Sequence, residues 1–135
     1  MMRSLALDVG DKRIGVALSD PLGILASPLT IIDRVDEIMD IAAIVAIIEQ
    51  HQVGSVIVGL PLSLDGGLGS QAEKVRRFTE ALRVSAAVPI EYRDERLSTV
   101  TARRLMRSSG KDRKARDDAM AAMVILQSYL DEAGA

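Results

Sequence analysis

The sequence predicts an α/β protein on a mixed five-stranded sheet, three antiparallel strands followed by parallel ones, with flanking helices. Three observations carry that expectation. The opening of the chain holds three short apolar runs separated only by turn residues, the spacing of strands joined by hairpins. Beyond them, helical periodicity alternates with short apolar runs, the pattern of strands added through right-handed helical crossovers. No repeat, linker or shift in composition divides the 135 residues, so a single domain over 1–135 is expected.

Each element has its own local signal. Ser4 to Val9 reads as a first strand ending at Gly10, and a turn at Gly10-Asp11-Lys12 leads into a second strand, Arg13 to Ser19. Pro21 and Gly23 mark the next turn. A third extended segment, Ile24 to Ile32, carries Pro28, which suits an edge or a bulge. Asp33 or Asp36 then caps an apolar helix reaching about Gln50, where His51 needs no role beyond its place at a helix C-terminus. Val53 to Val58 has the continuous apolar character of a buried parallel strand. A glycine-rich loop, Gly59 to Gly69, precedes Ser70-Gln-Ala-Glu73, which has the spacing of a capping box. The helix it opens carries Ala72, Val75, Phe78 and Leu82 at helical spacing. Pro89 to Arg93 is the last strand. Ser98 is placed to cap a helix to about Arg107, and a final helix runs from about Asp117 to Leu130.

Composition excludes several chemistries. With 48% hydrophobic and 27% charged residues the chain is globular rather than disordered. There is no cysteine, hence no disulfide scaffold, thiolate metal site or cysteine nucleophile. His51 is the single histidine, so a catalytic triad or multi-histidine metal site would rest on it alone. Three aromatic residues make a poor base-stacking platform. A soluble, cytoplasmic protein without a membrane partner is expected, since neither a signal-peptide pattern nor a long apolar span occurs.

Net charge is −2, yet Arg96 to Arg116 holds eight basic residues against one acid. Such a run is either a solvated face or a phosphate-contacting patch. Arg96, Arg104, Lys111, Arg113 and Lys114 are its candidate substrate contacts. Lys12 and Arg13, in the first turn, either contact phosphate or merely solubilise the turn. Arg96 has a third option, pairing with a neighbouring acid.

Three carboxylates stand out. Asp8 sits in an apolar strand, where alternation puts Leu5, Leu7 and Val9 on one face and Ala6, Asp8 and Gly10 on the other. A carboxylate there is costly unless paired, hydrogen-bonded or coordinated. Glu95 follows the last strand. Asp117 and Asp118 open the last helix about 100° apart. Asp117 falls in a mostly polar sector with Gln127 and Ser128, and Asp118 aligns with Ala121, Ala122, Ile125 and Tyr129, the sector expected to face the sheet. Taken singly, Asp8 could cap the following turn and Glu95 could pair with Arg93 or Arg96; taken together, Asp8, Glu95 and Asp118 are the candidate catalytic and metal-binding set. Apposed carboxylates repel, and with no thiolate or histidine set the matching ion is hard, Mg²⁺ or Mn²⁺. Such ions support phosphodiester cleavage.

Four motifs in order resemble the YqgF (RuvX) family of Holliday junction resolvase-like proteins and pre-16S rRNA nucleases. They are Leu7-Asp-Val-Gly-Asp-Lys-Arg-Ile-Gly-Val-Ala17, Val58-Gly-Leu-Pro-Leu62 with Asp65-Gly66, Asp94-Glu-Arg-Leu-Ser-Thr99, and Asp118-Ala-Met-Ala-Ala122 with Ile125 to Leu130. The resemblance covers nearly the whole chain. It implies an RNase H-like fold, an acidic metal-binding triad of Asp8, Glu95 and Asp118, and a nuclease acting on the 5′ end of precursor 16S rRNA. Cleavage of DNA junctions, which would require a homodimer rather than a monomer, and a non-catalytic nucleic-acid-binding module are the alternatives. RNA is the favoured partner.

Overall fold

The computed structural model describes residues 2–63, 66–98 and 117–134, with backbone alone for Ser98, Asp117 and Asp118. Strands β1 (Arg3–Val9), β2 (Arg13–Ser19) and β3 (Ala26–Asp33) come first, then helix α1 (Glu37–Gln50) and strand β4 (Val53–Leu60). Helix α2 (Ser70–Ser85), strand β5 (Ile90–Asp94), a 3₁₀ turn at Glu95–Ser98 and helix α3 (Asp117–Ala133) complete the order. The helix expected from Ser98 to Arg107 lies outside the described residues, as do Arg104, Lys111, Arg113 and Lys114.

The sheet order is β3-β2-β1-β4-β5. β1 pairs antiparallel with β2, and β2 with β3; β1–β4 and β4–β5 are parallel. The expected mixed sheet is the observed one. Pro28 sits on the terminal strand β3, beside a register shift at Val16/Ala17, where its missing N–H costs no central ladder bond.

Alternation gives each face a distinct core. Leu5, Leu7 and Val9 of β1 join Ile14, Val16, Val56 and Val58 in a cluster with Ile44 and Ile48 of α1 and Val75, Phe78 and Leu82 of α2. The opposite face is built of smaller side chains. Ala6, Ala17 and Ile57 pack against Ala122, Ile125, Leu126 and Leu130 of α3, and alanines at the sheet surface let that helix lie close. Tyr92 Oη donates to Glu80 at 2.8 Å, and Arg83 donates to the Ile90 carbonyl at 2.6 Å, tying α2 to β5.

Four details depart from expectation. β3 begins at Ala26 because the carboxylate of Asp20 accepts from the Ile24 and Leu25 amides and holds residues 20–25 as a turn. β4 continues through Gly59 to Leu60, paired with Arg93 and Asp94. The N-cap of α2 is Gly69, not Ser70, and it makes no side-chain cap bond. Its carbonyl accepts from Glu73 N at 3.0 Å, so Ser70 is one position too late for a capping box. Finally, Gln127 and Ser128 of α3 are buried rather than forming a wet sector. Gln127 spends both ends of its amide on the β2–β3 hairpin, donating to Ile24 O and accepting from Ala26 N at 2.9 Å each.

Asp36 caps α1 through Met39 N at 2.8 Å, which decides between the two candidate caps. Just before it, Arg34 pairs with Asp40 at 3.0 Å, the carboxylate being 2% exposed and the arginine 24%. Breaking a buried pair strands the remaining charge. Asp40→Ala should therefore lower stability by about 2–4 kcal/mol, read as a fall in the urea midpoint without a change in slope.

Candidate functional site

β1, β4 and β5 run parallel, so their C-terminal ends lie side by side. Asp8 pairs with Gly15 of β2 on one flank, and the register Ala6↔Ile57, Gly59↔Arg93 carries the same face across β4 to β5. Two residues beyond Arg93, Glu95 returns to that face. Asp8 and Glu95 are thus set on strands separated by β4, and adjacent strands are about 4.8 Å apart. The pair meets because the intervening position is Gly59. A Cβ there would stand 2.9 Å from Glu95 Oε1, 3.1 Å from Glu95 Cγ and in overlap with Ile125 Cδ1. The missing side chain is the space through which the glutamate reaches the aspartate.

Their contact has an electrostatic consequence. Glu95 is partly buried, and its carboxyl is raised to about 7, first by burial and then by the Asp8 charge and a hydrogen bond to Asp8; Asp94 adds further repulsion. In the protonated form, Glu95 donates to Asp8. Carboxylates in this relation need either a shared proton or a cation.

The nearby arginines serve other acids. Arg93 donates through Nη2 to Ser128 Oγ and Glu132 Oε2, both at 2.7 Å. Arg96 folds back on Asp94, at 2.6 Å from Nη2 and 3.0 Å from Nε, and this holds the Asp94 carboxyl below the usual carboxylate range. Of the three options for Arg96, its pairing with Asp94 is therefore on view. Gly66, at φ +85°, brings the β4–α2 loop near the same guanidinium. Lys12 and Arg13 are exposed in the β1–β2 turn, with Arg13 3.7 Å from Asp33.

The structure thus brings together Asp8 and Glu95 of the expected triad. Asp118 begins α3 one turn before Ala122 and two before Ile125, and its side chain is outside those described. Among the described residues no group of three acidic, histidine or cysteine side chains is gathered. Gly59 is the residue of the site that the sequence reading treated only as loop and motif. Its signal, a glycine inside an apolar strand, marks close approach of another group.

A parallel sheet flanked by antiparallel strands, with acids at the C-terminal ends of β1 and β5, defines an α/β protein of the RNase H-like class. Solved structures agree in fold. RuvC from Thermus thermophilus, in complex with a Holliday junction substrate, superposes with a TM-score of 0.72 at 15% identity, covering 99% of this chain and 96% of that one. The fowlpox virus Holliday junction resolvase gives 0.56 at 12%, covering 97% and 99%. Sequence comparison is more specific. The family model described as "RuvX: Holliday junction resolvase" matches residues 2–132. A Dehalococcoides mccartyi protein is 55% identical over 92% of this chain and 94% of its own length, and a Roseiflexus protein 47% over 96% and 94%. Both bear the name "Putative pre-16S rRNA nuclease". The chain belongs to the RuvX family.

Two outcomes follow from the geometry. Gly59→Ala should cost about 1–3 kcal/mol through overpacking and part Glu95 from Asp8, seen as a lower melting temperature and loss of the raised carboxyl titration by NMR. The second concerns pH. The folded pKa of Glu95 lies above its unfolded value, so its contribution is fully present below about pH 4.5 and is lost as pH rises through about 7. Solvent screening at this partly exposed group limits the loss to about 1–2 kcal/mol. Melts in EDTA should show that decline in the wild type, and Glu95→Gln should flatten it.

Proposed function

We propose that the protein is a metal-dependent nuclease that hydrolyses phosphodiester bonds and processes the 5′ end of precursor 16S rRNA. The observation that carries this reading is the contact of Asp8 with Glu95, a carboxylate pair whose full ionisation at neutral pH a bound cation would favour. That donor set fits a hard divalent ion, Mg²⁺ or Mn²⁺, with Asp8 and Glu95 as ligands and Asp118 as the third acid. When bound, such ions activate water and stabilise the leaving oxygen of a phosphodiester.

The chain's own residues do the remaining work. β1 and β5 hold the two acids on a rigid sheet, so little reorganisation accompanies ion binding. Ile125 and Gly59 close the floor beneath Glu95. Lys12 and Arg13 stand three and four residues past Val9, at the β1–β2 turn, and orient the nucleic-acid backbone. Arg104, Lys111, Arg113 and Lys114 are further candidate phosphate contacts, and such contacts make binding fall with salt. Arg96, held by Asp94, keeps the turn that carries Glu95 in place. The names of the relatives favour precursor rRNA as substrate. The family description, Holliday junction resolvase, supports a second reading, cleavage of DNA junctions, which would call for a homodimer. Among the described residues no helix is long and apolar enough to cross a membrane, and a cytoplasmic protein fits an rRNA substrate.

Purified protein with Mg²⁺ or Mn²⁺, assayed in parallel on precursor RNA, linear DNA and four-way DNA, should cleave the RNA in preference. Asp8→Asn should lose at least about 100-fold in rate while its fold and most nucleic-acid binding remain. Undiminished cleavage by that variant, or in EDTA, would remove the acids from the mechanism.

A further inference from the structure

The basic turn beside Asp8 is not self-supporting. Inside it, Gly10 N donates to Arg13 O at 2.8 Å, and a Cβ on Gly10 would press against that same carbonyl at 2.9 Å. Beyond the strand pairing at its two ends, Val9 with Ile14 and Arg13 with Asp33, Arg34 adds two bonds to its backbone. The Arg34 amide donates to Lys12 O at 2.9 Å, and its Nη1 donates to Gly10 O at 3.0 Å. The guanidinium is itself held from two directions. Nε donates to Asp40 Oδ2 on α1 at 3.0 Å, and the group lies 4.8 Å over the ring of Phe78 on α2. The second oxygen of Asp40 accepts from Val35 N at 3.0 Å.

A plain ion pair would spend the guanidinium fork two-pronged on the carboxylate. Here one prong goes to Asp40 and another to a main-chain carbonyl two residues past Asp8. A buried pair also gains little for stability over a well-packed apolar pair, so its energy does not explain its form. Planarity, stacking and a divergent fork are properties of arginine and not of lysine.

We propose that Arg34 is a positioning residue of the hydrolytic site: by clamping Gly10 and Lys12 it fixes the β1–β2 turn, and so the placement of Lys12 and Arg13 relative to Asp8. The proposal rests on the nuclease reading. A pre-set turn gives phosphate contacts without an ordering cost, and misplacement of about 1 Å costs up to about 100-fold in rate.

The test compares two variants that separate the clamp from the ion pair. Arg34→Lys keeps a cation against Asp40 and loses the fork to Gly10. Asp40→Asn weakens the ion pair and leaves the fork to Gly10 in place. Cleavage kinetics with saturating Mg²⁺, well below both melting temperatures, should show kcat down about tenfold or more in Arg34→Lys and within about threefold of wild type in Asp40→Asn, although Asp40→Asn is the less stable. Hydrogen exchange should rise about tenfold at the Gly10 and Arg34 amides of Arg34→Lys, with Val56 and Val58 in β4 unchanged. Should Arg34→Lys fail to fold, Arg34→Met combined with Asp40→Asn removes both charges and must show the same two effects. Wild-type cleavage with kcat retained in the Arg34 variant, or with exchange at the turn unaltered, overturns the clamp alone. A wild type that cleaves no nucleic acid overturns the nuclease reading and the clamp's role with it.

Discussion

Carboxylates on strands two apart meet only where the strand between them presents nothing on that face. Gly59 meets this requirement, and the rest of the site is arranged around it. Parallel pairing of β1, β4 and β5 brings their ends level. Small residues at Ala6, Gly15 and Ala17 keep the α3 side of the sheet shallow, and Ile125 fills what remains beneath Glu95. A bulkier residue at position 59 would leave two separate surface acids. With glycine there, the two acids share one centre and repel each other.

That repulsion is a cost the fold bears. Burial and the neighbouring charge both oppose ionisation of Glu95, so the contact strains the pair at neutral pH. The surrounding pairs act in the opposite sense. Arg96 favours the charged form of Asp94, and Tyr92 with Arg83 favours that of Glu80. Carboxylates at the periphery are thus favoured in the ionised form, and the one beside Asp8 is not.

The parts legible in the sequence were those governed by local rules. Alternation along β1 assigned Asp8 to the face of α3, and turn residues placed both hairpins. Helical register set Ala122 and Ile125 against the sheet. What escaped was contact between distant segments. Gly59 looked like the residue after a strand because its partner, Arg93, is far along the chain. Gln127 looked like part of a polar stripe because its partners, Ile24 and Ala26, belong to a hairpin formed a hundred residues earlier. Arg34 stands between the two candidate caps, Asp33 and Asp36, where no local pattern singles it out. In each case a polar or missing side chain answers a need created by tertiary packing, which no periodicity within its own segment records.

The proline on β3 also has a bearing beyond its strand. Terminal strands offer unpaired amides on which foreign chains can template. Pro28 carries no such donor, and the register shift at Val16/Ala17 interrupts the regular ladder beside it. Both features work against a second copy templating on that edge.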